Sequence, residues 1–175
     1  TNTDGGGTTI SAGILSISDD VNLGTVPASV VANSITLNGG TLKDVTSSLA
    51  GNITLTADSS FLTNAGDTLT LSGSISGGFG ITKTGAGTLT LAGANTFGGS
   101  LQLNGGKVVL ANSSAVTSAS TISVLTDTTI QYATGITSDF TTNLAALNPG
   151  VTLTVDTNGN NVNLSHAVSG SGSLV

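Results

Sequence analysis

The sequence contains no cysteine, methionine or tryptophan, and neither arginine nor glutamate occurs in it. Without cysteine there are no disulfides and no thiolate chemistry, a composition that suits a secreted chain kept unfolded in transit. Charged residues make up 7%, where a typical globular protein has about 25%, so the surface has to be built from hydroxyls and amides. The cations are Lys43, Lys83 and Lys107 alone, and the net charge is −6. No basic patch exists to neutralise phosphates or attract anionic lipid, which argues against nucleic acid as a partner and against membrane binding. There is no run of about 20 apolar residues and no charged leader followed by an apolar core. If the protein is exported, its export signal and any membrane anchor are therefore expected to lie outside this segment.

What is present is aliphatic and regular. Hydrophobic residues make up 37% of the 175 positions and there are 25 glycines, enough apolar side chain to bury in a core rather than leave a disordered chain. The pattern is clearest from Leu69 to Leu110, LTLSGSISGGFGITKTGAGTLTLAGANTFGGSLQLNGGKVVL. Leu69, Leu71, Ile75, Phe79, Ile81, Leu89, Leu91, Leu101 and Leu103 are separated mostly by Thr, Ser, Asn, Gln or Gly. A period of two, cut every few residues by Gly-Gly, Gly-Ala-Gly or Asn-Gly-Gly, predicts short strands joined by tight turns. Thr and branched aliphatics suit a pleated, half-buried surface, and Gly accepts the backbone angles that turns require.

The chain also repeats itself. Asn2-Thr3-Asp4-Gly5-Gly6-Gly7 aligns with Asn95-Thr96-Phe97-Gly98-Gly99-Ser100, and Ile10-Ser11-Ala12-Gly13 with Leu103-Asn104-Gly105-Gly106. At the other end, Leu164-Ser165 aligns with Leu71-Ser72, Val168-Ser169-Gly170 with Ile75-Ser76-Gly77, and Leu174 with Ile81. Both matches lie 93 residues apart. Residues 1–175 therefore read as a single β-solenoid segment of nearly two units, beginning and ending within a unit. With roughly 20 to 25 residues per turn, the expectation is about seven to eight rungs, stacked about 4.8 Å apart in a rod on the order of 35 to 40 Å long.

From Ile81 to Leu110 the sequence resembles the passenger-associated repeat of bacterial autotransporters, in ITKTGAGTLTLAGANTFGGSLQLNGGKVVL. Asn22-Leu23-Gly24, followed by Ala32 to Leu42, is similar to another segment of those passengers, and Asp156 to Asn160 with Val168 to Leu174 resembles the lead into a further copy. The resemblance implies a right-handed parallel β-helix carried across the outer membrane with the help of a separate C-terminal barrel. It also implies a location outside a Gram-negative cell or on its outer surface. The pattern degenerates between Ala111 and Asn148, where Asp139 to Leu147 reads as a loop or a short helix.

Several stretches invite a sharper reading and are better explained by structure. Asp19-Asp20 could pair on Ca²⁺ but reads as a polar corner leading into Val21 and Leu23. Pro27 cannot donate to a strand ladder, so residues 24 to 30 read as a loop. Ile10, Ile14 and Ile17 are inward candidates. The pairs Thr54 and Thr56, Thr68 and Thr70, and Thr82 and Thr84 recur every 14 residues; ranked on one flat face they could bind ice, yet Thr is also the commonest outward residue here. Gly77-Gly78-Phe79-Gly80 opens like a calcium-binding nonapeptide but lacks its Asp, which leaves Phe79 as a core residue, stacked with Phe97. Asp156, Asn158 and Asn160 have the alternate spacing of a calcium loop, but no acid closes it, and a turn on Asn158-Gly159 suffices. His166 is the one histidine; on a strand its side chain and that of Ser165 would point to opposite faces.

The sequence thus offers no catalytic, cofactor-binding or metal-binding residues. It predicts an all-β parallel solenoid with a structural role, a surface stalk or fibre segment whose partners are neighbouring copies of itself or further rungs. Adhesion to glycans or to other cells through a Thr, Ser and Asn face is the alternative, with few aromatics to stack on sugars. A carbohydrate-active β-helix would need a carboxylate cluster that is not legible here.

Overall fold

A computed structural model describes residues 7–18, 20–23, 35–44 and 47–175. Short strands follow one another around a coil. The first turn carries β1 (Thr8–Ile10) and β2 (Ile14–Ile17), then a single 3-10 turn at Asp20–Leu23. Next come β3 (Ile35–Asn38), β4 (Thr41–Asp44) and β5 (Ser47–Leu49), then β6 (Ile53–Ala57), β7 (Ser59–Thr63) and β8 (Thr68–Leu71). They are followed by β9 (Ile75–Ser76), β10 (Ile81–Thr84) and β11 (Thr88–Leu91), and by the pair β12 (Leu101–Asn104) and β13 (Lys107–Leu110). The final strands are β14 (Ile122–Thr126), β15 (Thr128–Tyr132), β16 (Thr152–Asp156) and β17 (Ser173–Leu174).

Every strand pairs with its counterpart one turn away, always parallel, so the chain closes three sheets of four, six and seven strands. This is the parallel β-solenoid expected from the short strands, the internal repeat and the family resemblance together. The six strands of the second sheet mark about six turns rather than seven to eight. The physical reason lies beyond β15. The first sheet has already ended at β9 and the second ends at β14, so beyond β15 loops held by isolated bridges, Ile122 to Leu144 and Leu147 to Gly170, accompany the third sheet, which alone continues.

Inward residues form ladders because equal positions of successive turns are in register. On the third sheet Leu49, Leu71, Leu91, Leu110 and Tyr132 stack in one column, each at most 1% exposed. On the first sheet Ile35, Ile53 and Ile75 do the same. Full burial of each such aliphatic contributes about 1.5 to 3 kcal/mol. The column Leu69, Leu89, Val108, Ile130, Val155 advances by 20, 19, 22 and 25 residues, so the turns lengthen toward the C-terminal end.

Corners are built where no side chain fits. A Cβ on Gly73 would lie 2.2 Å from the Gly51 carbonyl oxygen, and one on Gly93 would lie 2.1 Å from that of Gly73, so three glycines stack directly. Elsewhere an amide replaces backbone. Asn95, 3% exposed, accepts the Ile75 N–H through Oδ1 at 2.9 Å and donates from Nδ2 to the Ala115 carbonyl at 2.8 Å. In a turn with no strand in the first sheet, one side chain thereby links the turn below to the turn above.

Several expectations need correction. Ile10 and Ile17 are buried, but Ile14 is 63% exposed, because Leu15 takes the position in register with inward Leu42. Phe79 is 43% exposed while Phe97 is fully buried, and the two do not stack. The strand ends at Ser76, and the turn through Gly77, at φ 113, takes Phe79 out of the alternation. The stretch from Asp139 to Leu147 holds one 3-10 turn, Thr141–Asn143. Asp19 and residues 24–30 lie outside the described residues. Among those described, no helix is long and apolar enough to cross a membrane.

Candidate functional site

The most unusual side chain in the core is Lys83. It lies between the outward Thr82 and Thr84 and therefore points inward, with Phe61 on the turn below and Leu103 on the turn above. It is fully buried. Its Nζ donates to three backbone carbonyls, Thr84 at 3.0 Å, Gly85 at 2.7 Å and Gly105 at 3.3 Å. An ammonium has three donors, and all three are used. Loss of hydration still disfavours the charge and draws the Lys83 pKa from 10.5 down to about 8. Glycine makes the cage possible: a Cβ on Gly106 would lie 2.9 Å from Nζ. Alternation marks position 83 as inward, but the charge masks it in a sequence reading.

A second polar cluster holds the last turns. Asp139 accepts hydrogen bonds from the Thr141 N–H at 2.8 Å and hydroxyl at 2.5 Å, and from the Ser165 N–H at 2.8 Å and hydroxyl at 2.6 Å. Desolvation would raise the Asp139 pKa, but these bonds outweigh it and hold the carboxyl well below the usual range. Ser165 and His166 lie in a loop rather than on a strand, so the alternation that would separate them does not apply: His166 Nδ1 is 3.0 Å from Ser165 Oγ. Nδ1 is also 3.3 Å from Thr142 Oγ1 and 3.8 Å from Asp139 Oδ2. Because the Ser165 hydroxyl gives its proton to Asp139, the imidazole meets it as a donor and cannot act as its base in this arrangement. The cluster is a latch between turns. Beneath it Tyr132 and Phe140 fill the core with ring centroids 6.3 Å apart, and Tyr132 donates its hydroxyl to the Ser138 carbonyl. Burial, with Asp139 nearby, pushes the phenol up to about 12.

The outer faces carry the remaining chemistry. The 14-residue threonine pairs fall on three different sheets, Thr54 and Thr56 on the first, Thr68 and Thr70 on the third, Thr82 and Thr84 on the second. They form no single rank. The register instead places Thr68 beside Thr88 and Thr70 beside Thr90 on the third sheet. Above them Lys107 donates to Gln131 Oε1 at 3.2 Å, and Gln131 Nε2 donates to Asp156 Oδ2 at 2.6 Å, which runs a cation, an amide and an anion up three turns.

Acids cap backbone. Asp58 accepts the Gly80 N–H, Asp127 the Thr152 N–H and Asp156 the Asn158 N–H. The segment Asp156 to Asn160 is a turn on Asn158 and Gly159, both with positive φ, at 49 and 76 degrees. Among the described residues no three His, Cys, Asp or Glu side chains are placed to hold a metal ion.

Fold and site together define a β-solenoid repeat protein with a neutral, hydroxyl-rich skin. The family model of the passenger-associated transport repeat matches residues 1–17 and 81–110. The repeats and the solenoid fit a β-helical segment of an autotransporter passenger, a family that implies exposure at the cell surface or outside the cell. No curated protein and no solved structure matches the chain. The second match contains Lys83, Asn95 and Phe97, so the devices that set turn against turn coincide with the repeat.

Proposed function

We propose that this segment is structural: a stalk or fibre section of a secreted passenger that holds other parts away from the bacterial surface and associates end to end with further rungs or with copies of itself. The observation that carries this reading is the unbroken parallel register of the third sheet from β5 to β17. Each end of a solenoid presents unpaired strand edges, and a matching edge is their natural complement. The test is electron microscopy of the protein at rising concentration, with fibre diffraction for the axial spacing. Thin unbranched rods that lengthen with concentration and reflect at about 4.8 Å along the axis are expected. Compact particles of constant size would overturn the association, and the lack of an axial reflection would overturn the rod.

Adhesion through the third sheet is the second reading, favoured by the paired threonines 68, 88, 70 and 90 on one face. Of the aromatics, Tyr132, Phe61, Phe97 and Phe140 are buried, which leaves Phe79 to stack on a sugar. Glycan-array binding that is lost on Thr90→Lys would support it, and an array without signal would end it.

A further inference from the structure

We propose that Asn158 is a self-modifying position, whose side chain converts to aspartate or isoaspartate without an enzyme and with water as the only co-reactant. Three asparagines precede a glycine, Asn38, Asn104 and Asn158, and by sequence alone all three invite this reaction. The nitrogen of the glycine attacks Cγ of the asparagine side chain. A new N–C bond forms, the bond to the side-chain nitrogen breaks, and that nitrogen leaves as ammonia, which takes up the proton the glycine N–H gives up. Water then opens the succinimide ring at either carbonyl, leaving Asp or isoaspartate. Glycine lets the ring close because it carries no side chain to obstruct it.

The fold separates the three. Asn38 ends β3 and Asn104 ends β12, in register with Ala57 and Thr126. At both, the attacking nitrogen is already engaged: Gly39 donates to Ser59 Oγ at 3.0 Å, and Gly105 donates to Thr128 Oγ1 at 3.3 Å. Ser59 and Thr128 are each 4% exposed, so ring closure would leave a buried oxygen without its donor. Asn104 Oδ1 also accepts the Thr126 hydroxyl at 3.4 Å, which holds the side chain under attack. Asn158 differs on each count. It lies past the end of β16, in a turn closed by the Asn160 N–H on the Thr157 carbonyl at 2.9 Å. Asn158 and Gly159 are both exposed, and among the described residues nothing bonds the Gly159 N–H or the Asn158 side chain. The group that is held is the N–H of Asn158 itself, on Asp156 Oδ1, and it takes no part in ring closure. The space is open as well, since a Cβ on Gly159 would meet nothing within 4 Å. The change bears on the last turns because Asn160 accepts the Gly135 N–H at 2.8 Å and donates to the Ala133 carbonyl at 3.0 Å. Isoaspartate lengthens the backbone beside that tie, and either product adds a negative charge close to Asp156.

The test is incubation of the folded chain at mildly alkaline pH in heavy-oxygen water, with peptide mapping by mass spectrometry over time and the guanidinium-unfolded chain as reference. In the unfolded chain the three sites should react at similar rates. In the folded chain Asn158 is expected to react at least about fivefold faster than Asn38 or Asn104, the factor that about 1 kcal/mol for one broken hydrogen bond gives. Its two products should carry oxygen from the water. Equal rates at the three sites of the folded chain would overturn the proposal, and so would an Asn158 that stays intact there while the unfolded chain reacts. Thr128→Val frees the Gly105 N–H and should speed Asn104 alone; an unchanged Asn104 would overturn the protection assigned to that bond.

Discussion

Lys83 lies directly over Phe61 in the core: the two are register partners on adjacent turns, and both are fully buried. A cation thus occupies a rung of an otherwise apolar column that continues to Leu103 and Val124. It is tolerated there because its long stem packs like an aliphatic while its head reaches the carbonyls at the corner.

That arrangement makes stability depend on pH. The Lys83 pKa falls from 10.5 in the unfolded chain to about 8 in the folded one. Between those values the unfolded state binds more protons, so stability rises as pH climbs from about 8 to 10.5. The gain is at most about 3 kcal/mol. Lys83→Met keeps the stem and removes the charge. Denaturant midpoints measured across that window should rise for the native chain and stay flat for the variant.

Asn95 performs the work of a missing strand. Asn95→Ala leaves the buried Ile75 N–H and Ala115 carbonyl without the partners they now have. Each group left unpaired costs about 1 to 3 kcal/mol. Urea unfolding should show a loss of that size or larger, and Asn95→Asp should not restore it, because a carboxylate cannot donate to the Ala115 carbonyl.

The two phenylalanines of the central repeat should behave as opposites. Phe97→Ala opens a cavity in the core and is expected to cost about 3 to 5 kcal/mol, whereas Phe79→Ser changes an exposed corner and should stay within about 0.5 kcal/mol. Thermal unfolding of the two variants side by side decides the matter. Equal losses would mean that Phe79 is buried after all.

The contrast between Phe79 and Phe97 also marks how far the sequence can be read. Alternation in Leu-Thr-Leu and Ile-Thr-Lys-Thr holds because strand geometry fixes side-chain direction, and so the sheets and most of the core are legible. Phe79, Ser165 and His166 stand outside strands, where that rule lapses, and their placement follows from turns that composition does not specify. The repeat adds a further lesson. An offset of 93 residues carries Ile10 on the first sheet to Leu103 on the second, Leu15 on the second to Val108 on the third, and Ile81 on the second to Leu174 on the third. Sequence similarity therefore follows the local strand, turn and strand pattern rather than the face of the solenoid, since any corner that needs a glycine turn accepts the same motif.

Asp139 offers the last test, because it ties Thr141 of one turn to Ser165 of the next in a region where two of the three sheets have ended. Four donors converge on its two oxygens, and an amide in its place would turn an NH₂ toward one pair of them. Asp139→Asn should cost about 1 to 3 kcal/mol locally and speed amide exchange in residues 165–175, while the ladder from Leu69 to Leu110 keeps its protection. Since the folded pKa of Asp139 is depressed, its contribution is fully present above the ordinary carboxylate pKa and is lost only as pH falls through the lower folded value. Exchange in the last turn of the native chain should therefore be steady from neutral pH into mild acid once the intrinsic pH dependence of exchange is removed. If the variant matched the native chain in this region, the latch would contribute nothing, and Tyr132 with Phe140 would have to hold the turn alone.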